Sequence, residues 1–247
     1  MSRRLPAIHY ETYGQGIPLL LGFPIMASAW QGDPERAILK GYLDRLTGRY
    51  RVLVVDYPSL GPDIGKSEPI PAKELSAERV CSDLLVVADE VGFDRFVFWG
   101  YSWGGVVGLQ LASRTDRVST LVCGGWPPLG APYAEMLAIT RMMAAAPDVP
   151  VRVEQFVTFY ESIQGWPEAE AVARISCPRM AFVGAADEMN YPGGIALRLA
   201  QTVKERRPEL ERLGWHVLEV PGRDHGLYTD PATVVPLVRE FLDPVCG

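Results

Sequence analysis

The chain has 247 residues, 48% hydrophobic and 22% charged, a usual globular mix that supplies a sizeable core. Its 30 acidic against 24 basic residues give a formal net charge of −6 without any basic run, which argues against nucleic acid as a partner. No apolar run follows Met1-Ser2-Arg3-Arg4 as a signal peptide would need, and none is long enough to cross a bilayer, so no membrane partner is expected. Cys81, Cys123, Cys177 and Cys246 lie far apart with no Cys-x-x-Cys pair, pointing to neither a disulfide framework nor a metal site. The expected location is the reducing cytoplasm. Nothing in the sequence sets the oligomeric state.

In chain order, Ile8 to Tyr13 reads as a short strand closed by Gly14-Gln15-Gly16, and Pro18 to Gly22 as a buried strand. Helical spacing over Pro34 to Leu46 follows Asp33, a candidate N-cap. Arg51 to Asp56 is a continuous β-branched run, as in a strand covered on both faces. After a Pro/Gly-rich loop come a helix over Ser76 to Val91, a strand over Phe96 to Trp99, a helix over Trp103 to Ser113 and a strand over Val118 to Cys123. Met180 to Val183 and Trp215 to Val220 repeat the strand pattern, with a helix expected near Ile195 to Glu205 between them. Pro231 to Leu242 forms a last helix. The alternation predicts an α/β fold: a mostly parallel central sheet with helices on both faces, as one domain over 1–247. Residues 126–175 carry no strand pattern, only short helical pieces, and are expected to form a small helical cap inserted in that domain.

The chemistry centres on Gly100-Tyr101-Ser102-Trp103-Gly104. A Gly-x-Ser-x-Gly match is short enough to arise by chance; a strand directly before it and a helix directly after it give it weight. Such a turn exposes the serine Oγ and aims a helix N-terminus at developing negative charge. A serine hydroxyl needs a base. Of His9, His216 and His225, only His225 sits in a loop leaving a strand's C-terminal end, at Pro221-Gly222-Arg223-Asp224-His225-Gly226. The orienting carboxylate is sought after Met180–Val183, where Asp187 and Glu188 are adjacent. Gly184-Ala185-Ala186-Asp187 suits a short turn and favours Asp187; Asp224 reads as a solvent-facing turn residue.

Leu20-Leu21-Gly22-Phe23-Pro24, Asp56 through Ser67, Gly100–Gly105, Gly184–Asp187 and Gly222–His225 together resemble the α/β-hydrolase family, from about residue 7 to the C-terminus. The resemblance, to its serine-hydrolase, esterase-like branch, implies the order Ser102, Asp187, His225 and an oxyanion hole of the backbone N–H groups of Phe23 and Trp103. The chain departs from the family in having Leu21 where His commonly precedes the glycine. The Asp56–Ser67 loop is about four residues longer than usual, and the customary first strand is expected to be missing.

That loop also holds Gly61-Pro62-Asp63-Ile64-Gly65-Lys66-Ser67, which mimics a phosphate-binding loop. Leu60 occupies the place of its first glycine, and Pro69 and Pro71 stop a helix from following, so no nucleotide or other cofactor is expected. A cap folded over the strand ends would put Trp103, Trp126, Phe156 and Tyr160 around an apolar substrate pocket; the alternative is that they pack cap onto body. The expected reaction is hydrolysis of a small, mostly apolar carboxylic ester or lactone through an acyl-enzyme on Ser102. The same residues suit C–C hydrolysis, peptide cleavage or perhydrolysis, and the fold can also serve a non-hydrolytic ligand-binding or lyase protein.

Overall fold

The structure, a computed structural model, describes residues 8–22, 33–58, 66–146 and 153–246. Its strands are β1 (Tyr10–Tyr13), β2 (Ile17–Gly22), β3 (Tyr50–Val55), β4 (Phe96–Tyr101), β5 (Val118–Gly124), β6 (Arg179–Gly184), β7 (Glu188–Tyr191), β8 (Ile195–Arg198) and β9 (Trp215–Val220). Its helices are α1 (Asp33–Leu46), α2 (Ala77–Glu90), α3 (Trp103–Ala112), α4 (Tyr133–Ala144), α5 (Glu154–Ser162), α6 (Glu168–Arg174), α7 (Leu199–Arg212) and α8 (Pro231–Val245). The main sheet has seven strands in the order β1-β3-β2-β4-β5-β6-β9. Its pairings are parallel except at the β1 edge, which runs antiparallel to β3.

The continuous apolar runs follow from burial on both faces. Leu20, Leu53, Phe96 and Phe98 point into one core with Val80, Leu84, Val106 and Val203 from α2, α3 and α7. Leu19, Leu21, Val97, Trp99 and Tyr101 alternate with them and point into a second core, with Tyr42 and Leu46 of α1 and Val234, Val235 and Val238 of α8. A register slip of one residue would exchange the two sets, so the packing fixes where the strands end, and with them the site. Between β5 and β6 lie α4, α5 and α6; Phe159 and Tyr160 of α5 are buried in the first core.

Four expectations change. The helix expected from Ile195 begins at Leu199, because Ile195–Arg198 instead forms β8 and pairs antiparallel with β7. Pro192-Gly193-Gly194 turns that hairpin with φ near 77° at both glycines, and the Glu188–Arg198 ion pair at 3.5 Å braces its open end. The first strand begins at Tyr10 and not Ile8, and β3 runs from Tyr50 to Val55 and stops short of Asp56. Asp33 is already the first residue of α1, and its side chain lies outside the described residues, as does the expectation of a missing first strand.

The β1 edge carries its own electrostatics. Glu11 takes hydrogen bonds from the Tyr13 hydroxyl, His9 and Lys66, which lower its pKa from 4.5 to about 2. A depressed carboxylate stabilises the fold above its unfolded value near 4.5, and that contribution is lost as pH falls toward 2. Glu11→Gln is therefore expected to lower the urea midpoint at pH 7 by a small amount, since the group is partly exposed. The gap to wild type should close as pH falls from about 5 to 2; a gap independent of pH would contradict this.

Candidate active site

Ser102 sits between the end of β4 and the first residue of α3, with φ 53° and ψ −119°. It is the only non-glycine residue with positive φ among the described residues. The strained turn is held by its own backbone: Ser102 N–H donates to Gly124 O at 2.8 Å, and Ser102 O accepts from Gly105 N at 2.9 Å. The flanking glycines are required by space. A Cβ on Gly100 would lie 2.1 Å from Gly104 O, and one on Gly104 would lie 1.9 Å from Gly22 O. The nucleophile turn thus presses its backbone against the end of β2.

His225 opens a 3-10 turn, His225–Thr229, directly after the β9 exit loop. Its Nε2 lies 3.0 Å from Ser102 Oγ, and its Nδ1 lies 3.0 Å from both Asp187 oxygens. Asp187 is fully buried just beyond β6, and its carbonyl accepts from Ala200 N at the start of α7. A buried carboxylate beside Nδ1 selects the tautomer with Nδ1–H donating to Asp187, leaving the Nε2 lone pair for the Ser102 O–H. Glu188 faces elsewhere: it accepts from Gln201 N at 3.0 Å and pairs with Arg198. Asp224 is exposed and caps the turn by accepting from Gly226 N. The other two histidines stay away. His9 bonds Glu11, and His216 is exposed on β9, stacked on Phe241.

The Trp103 N–H, first in α3, belongs to the turn whose N–H groups have no acceptor within the helix. Phe23 lies outside the described residues; Leu21, before it, is buried in the sheet's second core. The Trp103 ring meets Phe156 edge-on at 5.3 Å and Phe159 at 5.2 Å. Of the expected pocket residues, Phe156 is therefore brought to the residue beside Ser102. Tyr160 is buried against Phe159 at 5.4 Å, while Trp126 packs against Tyr133 and the first turn of α3. The long loop closes on Asp56, whose carboxylate accepts from Ser67 N at 3.0 Å and from Lys66 N. Lys66 Nζ pairs with Glu11, so the lysine of the phosphate-loop mimic is already engaged.

Two features went unread in the sequence. Tyr101 packs its ring 5.5 Å from the His225 imidazole and donates its hydroxyl to His225 O at 2.9 Å. The signal was an aromatic residue directly before the serine. The β7–β8 hairpin, directly after Asp187, was the second, and Pro192-Gly193-Gly194 was its signal. Its half-buried Tyr191 lies in the field of Asp187, and burial followed by that negative charge raises its pKa. Among the described residues no group of three or more His, Cys, Asp or Glu side chains could hold a metal ion.

A family model described as the alpha/beta hydrolase family matches residues 19–237. The chain belongs to the alpha/beta hydrolase family. Among curated proteins this chain is 30% identical over 145 residues to haloalkane dehalogenase 2 of Mycobacterium bovis, covering 57% of this chain and 46% of that protein. The chain thus spans about half the length of the curated relatives it first matches. Among solved structures, an esterase from Thermogutta terrifontis superposes with a TM-score of 0.70 at 19% identity, covering 99% of each chain. The enol-lactonase from Burkholderia xenovorans superposes at 0.66 with 18% identity, covering 96% of each chain. At these identities the two structures speak for the fold. They agree with the family match on a mostly parallel sheet, which carries Ser102 at a strand's C-terminal end. No helix of the described residues is long and apolar enough to cross a membrane, and all four cysteines are free thiols.

Proposed function

We propose that this protein is a serine hydrolase that cleaves a small, mostly apolar carboxylic ester or lactone through an acyl-enzyme on Ser102. The observation that carries the reading is the continuous hydrogen-bonded line Ser102 Oγ, His225, Asp187, with 3.0 Å at each contact. His225 Nε2 takes the hydroxyl proton as Oγ bonds to the carbonyl carbon, and the negative charge of the tetrahedral intermediate falls on the former carbonyl oxygen. The N–H groups of Trp103 and Phe23 stabilise that charge. The C–O bond then breaks; the alkoxide takes the proton from His225 and leaves as an alcohol, or stays tethered if the substrate was a lactone. Water, deprotonated by His225, opens the acyl ester, and the acid leaves with Ser102 restored. Asp187 stabilises the imidazolium at both stages and remains ionised.

Ser102 also weighs against the chemistry named for the dehalogenase relative. Displacement at an alkyl carbon by serine would leave an ether, which the site has no means to hydrolyse; a carboxylate nucleophile would leave an ester that water can open. The helices between β5 and β6 act in this reading as a cap, and Trp103 and Phe156 supply apolar walls for the acyl group, backed by the buried Trp126, Phe159 and Tyr160. The free thiols suit a reducing compartment such as the cytoplasm.

A fluorophosphonate probe tests the nucleophile. Wild-type protein is expected to be labelled stoichiometrically on the peptide containing Ser102, and Ser102→Ala to stay unlabelled. Equal labelling of the two proteins would refute the assignment. A panel of p-nitrophenyl esters and lactones of increasing acyl length should then show highest kcat/KM for short apolar acyl groups.

A further inference from the structure

The base sits on a short, surface-flanked turn, yet its imidazole must face Ser102 with one nitrogen and Asp187 with the other. Gly222, Asp224, Gly226 and Thr229 around it are all exposed, and within the turn Leu227 is the buried anchor, in the sheet's second core. Two tyrosine hydroxyls reach it from the sheet's second core. Tyr101, fully buried, donates to His225 O at 2.9 Å; Tyr42 of α1, also fully buried, donates to Tyr228 O at 2.8 Å. The two acceptors are three residues apart, the first and fourth residues of the five-residue turn. The Tyr101 ring meets both residues, 5.5 Å from His225 and 5.2 Å from Tyr228, and is backed by Phe182 at 5.8 Å. The Tyr42 ring is locked edge-on against Trp99 of β4 at 5.6 Å.

We propose that Tyr101 and Tyr42 are positioning residues for the base, their hydroxyls clamping the His225 turn at two points so that Nε2 stays aligned with Ser102. The inference rests on the serine-hydrolase reading above. Tyr101 is bonded covalently to Ser102, so one residue sets both nucleophile and base. Tyr42 acts one step further out, through Tyr228 O, and its share is smaller. Neither side chain is placed to exchange a proton in the reaction, and burial raises both pKa values well above the ordinary phenol range.

The test removes one oxygen atom at a time: Tyr101→Phe, Tyr42→Phe and, as a control, Tyr50→Phe. Tyr50 also donates from a buried ring, to the Asp243 carboxylate at 2.7 Å, on β3 away from the site. Fluorophosphonate inactivation is followed as separate kinact and KI, beside thermal midpoints. Tyr101→Phe is expected to lower kinact about tenfold and Tyr42→Phe about threefold, with KI changed less than about twofold. Tyr50→Phe, which loses a bond to a charged group, should lose at least as much thermal stability and keep kinact within about twofold of wild type. The clamp is refuted if Tyr101→Phe retains wild-type kinact, or if Tyr50→Phe loses as much kinact as Tyr101→Phe. Failure of the wild type itself to be labelled would overturn the hydrolase reading and the clamp together. Normal labelling with an unaltered Tyr101→Phe would overturn the clamp alone.

Discussion

Asp187→Asn is expected to lower kcat for an activated ester by about four orders of magnitude while leaving the fold and KM nearly unchanged. The reason is the tautomer. Asp187 is fully buried and accepts from His225 Nδ1 with both oxygens at 3.0 Å. An amide there can present its NH2 group to Nδ1, turning that nitrogen into an acceptor and leaving the proton on Nε2, where it faces Ser102 Oγ without any basicity to offer. The imidazolium also loses the negative charge that stabilises it in the transition state. Steady-state kinetics checks this, with circular dichroism to show that the fold survives. A loss of less than about tenfold would mean that Asp187 does not orient the base. Glu188→Gln is the informative neighbour: it caps α7 through Gln201 N, so it should cost stability and little kcat.

Gly104→Ala is the second large effect, and it acts through space alone. A Cβ there would stand 1.9 Å from Gly22 O, which is backbone and has no rotamer to give. Relief requires β2 and the start of α3 to separate, carrying the Trp103 N–H away from the oxyanion. The expected cost is about 3 kcal/mol or more in unfolding free energy, at the upper end of overpacking effects. The surviving folded protein should also lose roughly a hundredfold in kcat from the misplaced donor. Denaturant unfolding and kinetics on the soluble fraction measure the two parts. Wild-type stability in this variant would contradict the close crossing of these two segments.

The α/β alternation was legible because strands covered on both faces read as unbroken apolar runs, as in Leu19–Leu21 and Val52–Val55. Ser102 and His225 were legible from their places at strand ends. Between Asp187 and Glu188 the Gly-x-x-Asp spacing favours Asp187, but which of two adjacent carboxylates turns inward depends on the hairpin that follows, which the spacing does not show. The second strand of that hairpin reads as the start of a helix in the sequence: Ile195–Arg198 is short, and the turn before it outweighs local helical spacing. Tyr101 escaped notice for another reason. Its importance lies in contacts to His225 and Tyr228, more than a hundred residues along the chain, which only the closed sheet creates.

The central claim is a covalent intermediate on Ser102, and acid-quenched mass spectrometry during turnover of p-nitrophenyl acetate tests it most directly. The account predicts that the peptide containing Ser102 carries one acetyl group in the quenched wild-type enzyme, formed at the rate of the p-nitrophenol burst. Turnover that proceeds with that peptide unmodified at every quench time would contradict it.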